Sequence, residues 1–224
     1  MGAGTCFTDG MVLESRAGRL LAAAVLVAYP LLILVYWLLY PAYGETSAAA
    51  VLHAIDGDPS RTQVADLFAF SGGFVAVAAS AVLMGFFGRR GSWTGWVGGA
   101  LSATGWIAVL SVLILDVVAI EMSRGSGPTP AMVRAYHGAF TAPITIGLNV
   151  VAAMHIVGGV LIGVALIRTR VVPPAAGIIA TLAAPVHLGA NLAGLLWLDE
   201  ATWIALAVIY GLVGREILER GGGT

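Results

Sequence analysis

WTGWVGGALSATGWIAVLSVLILDVVAIE, residues 93–121, runs for 29 residues with a single charge, Asp116, before it closes on Glu121. At a rise of about 1.5 Å per residue, a helix of that length exceeds the roughly 30 Å hydrocarbon thickness of a bilayer. Inside lipid only a helix or a closed barrel keeps every backbone N–H and C=O bonded, and a continuous apolar run of this length belongs to a helix. The stretch therefore predicts a membrane span. Working outward, five more runs meet the same requirement, at residues 19–41, 64–88, 139–167, 172–197 and 201–218.

Composition agrees. Of 224 residues, 59% are hydrophobic and 10% charged, and the mean hydropathy is +0.93, which excludes an ordinary soluble domain. The reading is an all-α, polytopic transmembrane helical bundle of six spans, forming one domain over residues 1–224. Every basic residue is Arg. Eight (Arg16, Arg19, Arg89, Arg90, Arg168, Arg170, Arg215, Arg220) fall on one side of the predicted bundle, against Arg61, Arg124 and Arg134 on the other. By the positive-inside rule both termini are expected in the cytoplasm. The first run is too long for a cleaved signal and reads as a retained span. Cys6, the single cysteine, allows no internal disulfide.

The inner connections FGRRGSW and IRTRVVPP are tight turns, whereas two of the three outer loops have length. YGETSAAAVLHAIDGDPSRTQ holds a short interfacial helix followed by a DGDPS turn, and SRGSGPTPAMVRAYHG a second amphipathic turn. The third is reduced to Leu198, Asp199 and Glu200. Glycine-rich stretches such as GWVGGALSATG and GGVLIG let helix backbones approach closely.

The polar residues inside the spans gather in the outer half. Asp116 lies about 8 Å below the outer end of its span. His187 and Asn191 share a face on span five, as do Thr141, Thr145 and Asn149 on span four and Asp66, Phe70 and Gly73 on span two. Tyr29, Tyr36, Tyr40 and Tyr43 form one stripe, readable equally as an interfacial aromatic belt. Asp66, Glu121 and His137 are shallow enough to be simply solvated. Asp116 is different, because a carboxyl deep in a span costs roughly 2.5–3.5 kcal/mol on insertion scales and marks a functional or paired interior site. It stands about 140° around the helix from Glu121, so the two are not a close pair. Pro185 predicts a kink just below His187, and His155 reads as a packed histidine with one hydrogen bond.

Several chemistries have no support. HExxH, Walker, dinucleotide and DDxxD patterns are absent, and His155 and His187 differ too much in depth for haem ligation. No metal site, no cofactor and no nucleic-acid partner are expected; the net charge of -1 says nothing useful about nucleic acid. What remains is a hydrophobic cavity with a desolvated carboxyl, a His–Asn pair and many rings. A buried carboxyl retains its proton and serves as a general acid, and aromatic faces stabilise cations.

In chain size, all-helical membrane body, isolated acids Asp66 and Asp116 and aromatic lining Tyr36, Tyr40, Phe70 and Trp106, the chain resembles the small polytopic membrane terpene cyclases of meroterpenoid and indole-terpenoid biosynthesis. That resemblance implies a metal-independent, proton-initiated cyclisation of a lipophilic prenyl substrate. Asp116 is then the first candidate acid, with Asp66 and Glu121 next. Tyr36, Tyr40, Phe70, Trp106, Asn149, His187 and Asn191 are the expected substrate-binding residues, His187 and Asn191 also orienting or recharging the acid. In its opening SRAGRLL and long first outer loop the chain is also similar to uncharacterised six-span proteins of Ala- and Arg-rich bacterial proteomes, a resemblance that implies no activity; the expected location is a bacterial cytoplasmic membrane. Two other readings of the same residues stay open: a small transporter or lipophile-binding protein, and a structural subunit whose polar residues lock helices together.

Overall fold

The computed structural model describes residues 15–123 and 127–220. Cys6, Arg124 and the two termini lie outside them. Six helices are long and apolar enough to cross a membrane: Arg16–Leu39, Pro59–Arg89, Trp93–Met122, Pro143–Thr169, Pro174–Leu192 and Leu196–Glu219. In chain order the helices are α1 (Arg16–Leu39), α2 (Ala48–Gly57), α3 (Pro59–Arg89), α4 (Trp93–Ser123), α5 (Pro130–Thr141), α6 (Pro143–Ala152), α7 (Met154–Thr169), α8 (Pro174–Leu192) and α9 (Leu196–Arg220). Side chains facing outward around the bundle, among them Phe74, Ile107, Ile144, Ile178 and Val208, are apolar and exposed, as a lipid-facing surface requires. The protein is an integral membrane helical bundle.

The spans form a closed ring in sequence order. α1 packs on α3, α3 on α4, α4 on α7, α7 on α8, α8 on α9, and α9 returns to α1. Small residues set the closest approaches. A Cβ on Gly98 would lie 3.0 Å from the carbonyl oxygen of Gly158, so α4 and α7 meet backbone to backbone as small-residue interfaces in membranes do. Ser80 Oγ donates to Ala76 O at 2.8 Å and contacts Ser102 Oγ at 3.0 Å, satisfying a polar pair between α3 and α4.

One end of the ring is tied shut, with Arg90 Nη2 2.9 Å from Glu216 Oε1 and Arg168 Nη1 3.4 Å from Thr94 Oγ1. The other end carries α2 and α5. Leu52, Ile55, Ala119, Ile120 and Tyr136 make a separate small core there, which fixes both short helices against the end of α4. Local chemistry sets the starts: Ser47 caps α2, Asp58 caps α3 ahead of Pro59 at its first turn, and Thr129 caps α5.

The structure departs from the expected boundaries in two ways that matter. Span four is broken at Ala153. Ile156 N bonds to Ala153 O at 3.1 Å, which frees the carbonyl of Ala152, and His155 Nδ1 takes it at 2.5 Å. The last span begins at Leu196 rather than residue 201, so Asp199 belongs to the first turn of a helix and not to a loop.

Candidate functional site

A cavity of about 730 Å³ occupies the centre of the ring at the α2–α5 end. Its size suits a drug-sized ligand. The aromatic rings of Trp37, Trp106 and Trp203 line it together with Tyr36, Tyr40 and Tyr136. Tyr29 packs beneath, with its ring centroid 5.4 Å from Trp106 and 5.8 Å from Trp203. Asn149, Leu188 and Leu192 line the cavity and are themselves exposed. The interior therefore reaches the bundle surface between α6 and α8. Below this cleft α7 and α8 are tightly apposed, since a Cβ on Gly159 would come within 2.9 Å of Ala184 Cβ. Above it α6 packs on α4 and not closely on α8. The break at Ala153 and the proline at Pro185 inside α8 occur where the helices begin to diverge.

Asp116 stands on α4 with 7% of its surface exposed. Its Oδ1 accepts from Tyr40 Oη at 3.2 Å and from Tyr136 Oη at 3.5 Å. Both phenols reach the same oxygen. The hydrogen bonds from described residues both go to Oδ1, and Asp116 lines the cavity. Tyr40 follows the last turn of α1 and Tyr136 comes from α5, so the site is closed by segments outside the spans. Burial, and then the negative charge of Asp116, pushes both phenols well above their ordinary range. They remain protonated donors.

Across the cavity His187 Nδ1 lies 2.6 Å from Asp199 Oδ1, and Asp199 is fully buried. Tyr43 Oη donates to Asp199 Oδ2 at 3.2 Å, and burial followed by the Asp199 charge pushes that phenol up as well. An ionised Asp199 requires a proton on Nδ1 of His187, which leaves Nε2 as the basic atom. The imidazole packs 4.9 Å from Trp203 and 6.0 Å from Trp37, centroid to centroid. Tyr43 is held over Asp199 by its neighbour Gly44, whose φ of +76° and approach to Gly194 leave no room for a side chain: a Cβ there would lie 2.9 Å from Gly194 Cα.

Of the residues expected from sequence, Asp116, Tyr36, Tyr40, Trp106, Asn149, His187 and Asn191 line this one cavity. Phe70 does not: Ala69 turns to the cavity, and Phe70, one position on, is half-buried outside it. Glu121 is exposed on the last turn of α4, away from the lining. Asp66 is buried on α3, outside the lining, with neither carboxyl oxygen hydrogen-bonded. His187 pairs with Asp199 rather than orienting Asp116, whose partners are phenols. Sequence reasoning missed Asp199 and the roles of Tyr43, Trp37 and Trp203. A charge within LLWLDEATWIALAV, twelve residues beyond a histidine on the preceding helix, was the available signal.

No known family model, curated protein or solved structure matches this chain.

Proposed function

We propose that this is a membrane enzyme for proton-initiated rearrangement of an uncharged lipophile, most concretely cyclisation of a prenylated substrate, as the resemblance to membrane terpene cyclases implies. The observation that carries the reading is the placement of a carboxyl and a histidine–carboxylate pair on one aromatic-lined cavity. With its proton on Oδ2, Asp116 has Oδ1 as a carbonyl accepting two phenol hydrogen bonds. Those bonds stabilise the carboxylate left when the proton departs, which is what a general acid needs.

The steps balance without a cofactor. The Asp116 O–H breaks as a C–H bond forms from the π bond of a terminal alkene, or as an O–H bond forms at an epoxide oxygen whose C–O bond opens, and the resulting cation is consumed by internal double bonds. The rings of Tyr36, Trp37, Trp106 and Trp203 stabilise the travelling charge. His187 Nε2 takes the final proton from carbon and releases it to solvent, from which Asp116 regains one, so that the enzyme returns to its starting state. Product and substrate are isomers.

The cleft between α6 and α8 also favours a second reading, a lipophile-binding or transport protein that admits its ligand from the membrane. Incubating membranes containing the protein with farnesylated and geranylgeranylated aromatic compounds separates the two. A product of unchanged mass and altered retention supports cyclisation, and unchanged compound bound to the protein supports the second reading.

A further inference from the structure

Every carboxyl buried away from water needs a proton or a counter-charge. Among the described residues Asp116 has no cationic hydrogen-bond partner: its two donors are neutral phenols. Among the described residues the lining of the cavity contains no Arg, while Asp116 and Glu45 both belong to it. The rings of Tyr36, Tyr40, Trp106 and Tyr136 line the same cavity, Tyr40 and Tyr136 being the two that hydrogen-bond Asp116. A desolvated carboxyl on an aromatic-lined cavity without Arg among its described lining residues, once it gives up its proton, is complementary to a positive ligand and hostile to a negative one.

We propose that this cavity is a binding site for lipophilic organic cations, tertiary or quaternary ammonium and phosphonium ions, with Asp116 as counter-charge and the surrounding phenols and indoles as cage. The proposal goes beyond the cyclisation reading and does not depend on it. It also disfavours phosphate-bearing lipids: a diphosphate head group would meet Asp116 and Glu45 with no Arg among the described lining residues to offset it. The cleft beside Asn149, Leu188 and Leu192 supplies a route by which an apolar cation dissolved in the membrane reaches Asp116 without crossing water.

The test uses two ions of the same shape and opposite charge. Purified full-length protein in nonionic detergent is dialysed to equilibrium against tetraphenylphosphonium and, separately, tetraphenylborate. The phosphonium binds once per chain and at least about tenfold tighter than the borate, a factor set by one desolvated cation–π and carboxylate contact. Asp116→Asn lowers phosphonium affinity by about tenfold and leaves borate binding unchanged, while Asp116→Glu retains the preference. Equal affinity of the unmodified protein for the two ions overturns the proposal, and this comparison needs no variant to fold. Undiminished phosphonium binding by a folded Asp116→Asn overturns it equally. Phosphonium binding without isomerised product removes the cyclisation reading alone. Product formation without a charge preference removes this proposal alone.

Discussion

Nδ1 of His187 lies 2.6 Å from Oδ1 of Asp199, and through this contact α8 and α9 are joined across their hairpin by a carboxyl with no exposure. Two further groups depend on that carboxyl, the imidazole and the Tyr43 phenol. Asp199→Ala leaves both without a partner and is expected to cost about 1.5–3 kcal/mol, the range for hydrogen bonds to charged groups. Asp199→Asn keeps an acceptor and costs less. Thermal unfolding of the two purified variants in one detergent ranks them, and equal stability of Asp199→Ala and the unmodified chain contradicts the assignment.

Gly44 and Gly91 both have positive φ, +76° and +66°, but only Gly44 meets backbone where a side chain would stand. Gly91→Ala is expected to lose about 1–2 kcal/mol, the left-handed penalty alone. Gly44→Ala loses more, and it also moves Tyr43 away from Asp199. Paired stability measurements check the order. The reverse order removes the argument that this turn is held by its contact with Gly194.

Asp66 is buried with both carboxyl oxygens lacking a hydrogen bond. An unsatisfied buried polar group costs about 1–3 kcal/mol, so Asp66→Leu is expected to raise thermal stability by a comparable amount. A decrease on that substitution means that Asp66 has a partner in the membrane-embedded protein.

The phenols of Tyr40, Tyr43 and Tyr136 are all pushed up by burial and by a neighbouring carboxylate. For an acid raised on folding, the stabilising contribution is complete below the ordinary value, near about 10 for a phenol, and is lost only as pH rises through the raised value. Ultraviolet titration of the folded protein is therefore expected to leave these tyrosines protonated where free tyrosine ionises, with Tyr136→Phe removing one of the delayed group. Ionisation of all tyrosines near the free value runs against the buried Tyr–Asp116 contact.

The six spans were legible because lipid imposes one strict demand, a long apolar helix with its backbone satisfied. The convergence of Asp116, Asn149, His187 and Asn191 was legible for a related reason, since similar depth in neighbouring antiparallel helices brings residues together. Asp199 was not, because excluding charge from a span pushed the expected start of the last helix to residue 201. In the folded chain an acid in the first helical turn gains from the N-terminal partial charge, and His187 satisfies it. The break at Ala153 has no proline or glycine to announce it: it depends on a side chain, His155, capturing a carbonyl. Phe70 was misplaced by one residue of helix, about 100° of rotation, which moved it off the wall that Ala69 forms.

In the proposed reaction Asp116 supplies a proton from the wall of this cavity. The most direct measurement compares turnover of prenylated aromatic substrates by the unmodified protein and by Asp116→Asn, with thermal stability taken on the same preparations. The expected result is a folded variant whose turnover falls by at least about 10²-fold, the scale of general acid catalysis. A folded Asp116→Asn that forms the isomerised product at the unmodified rate contradicts it.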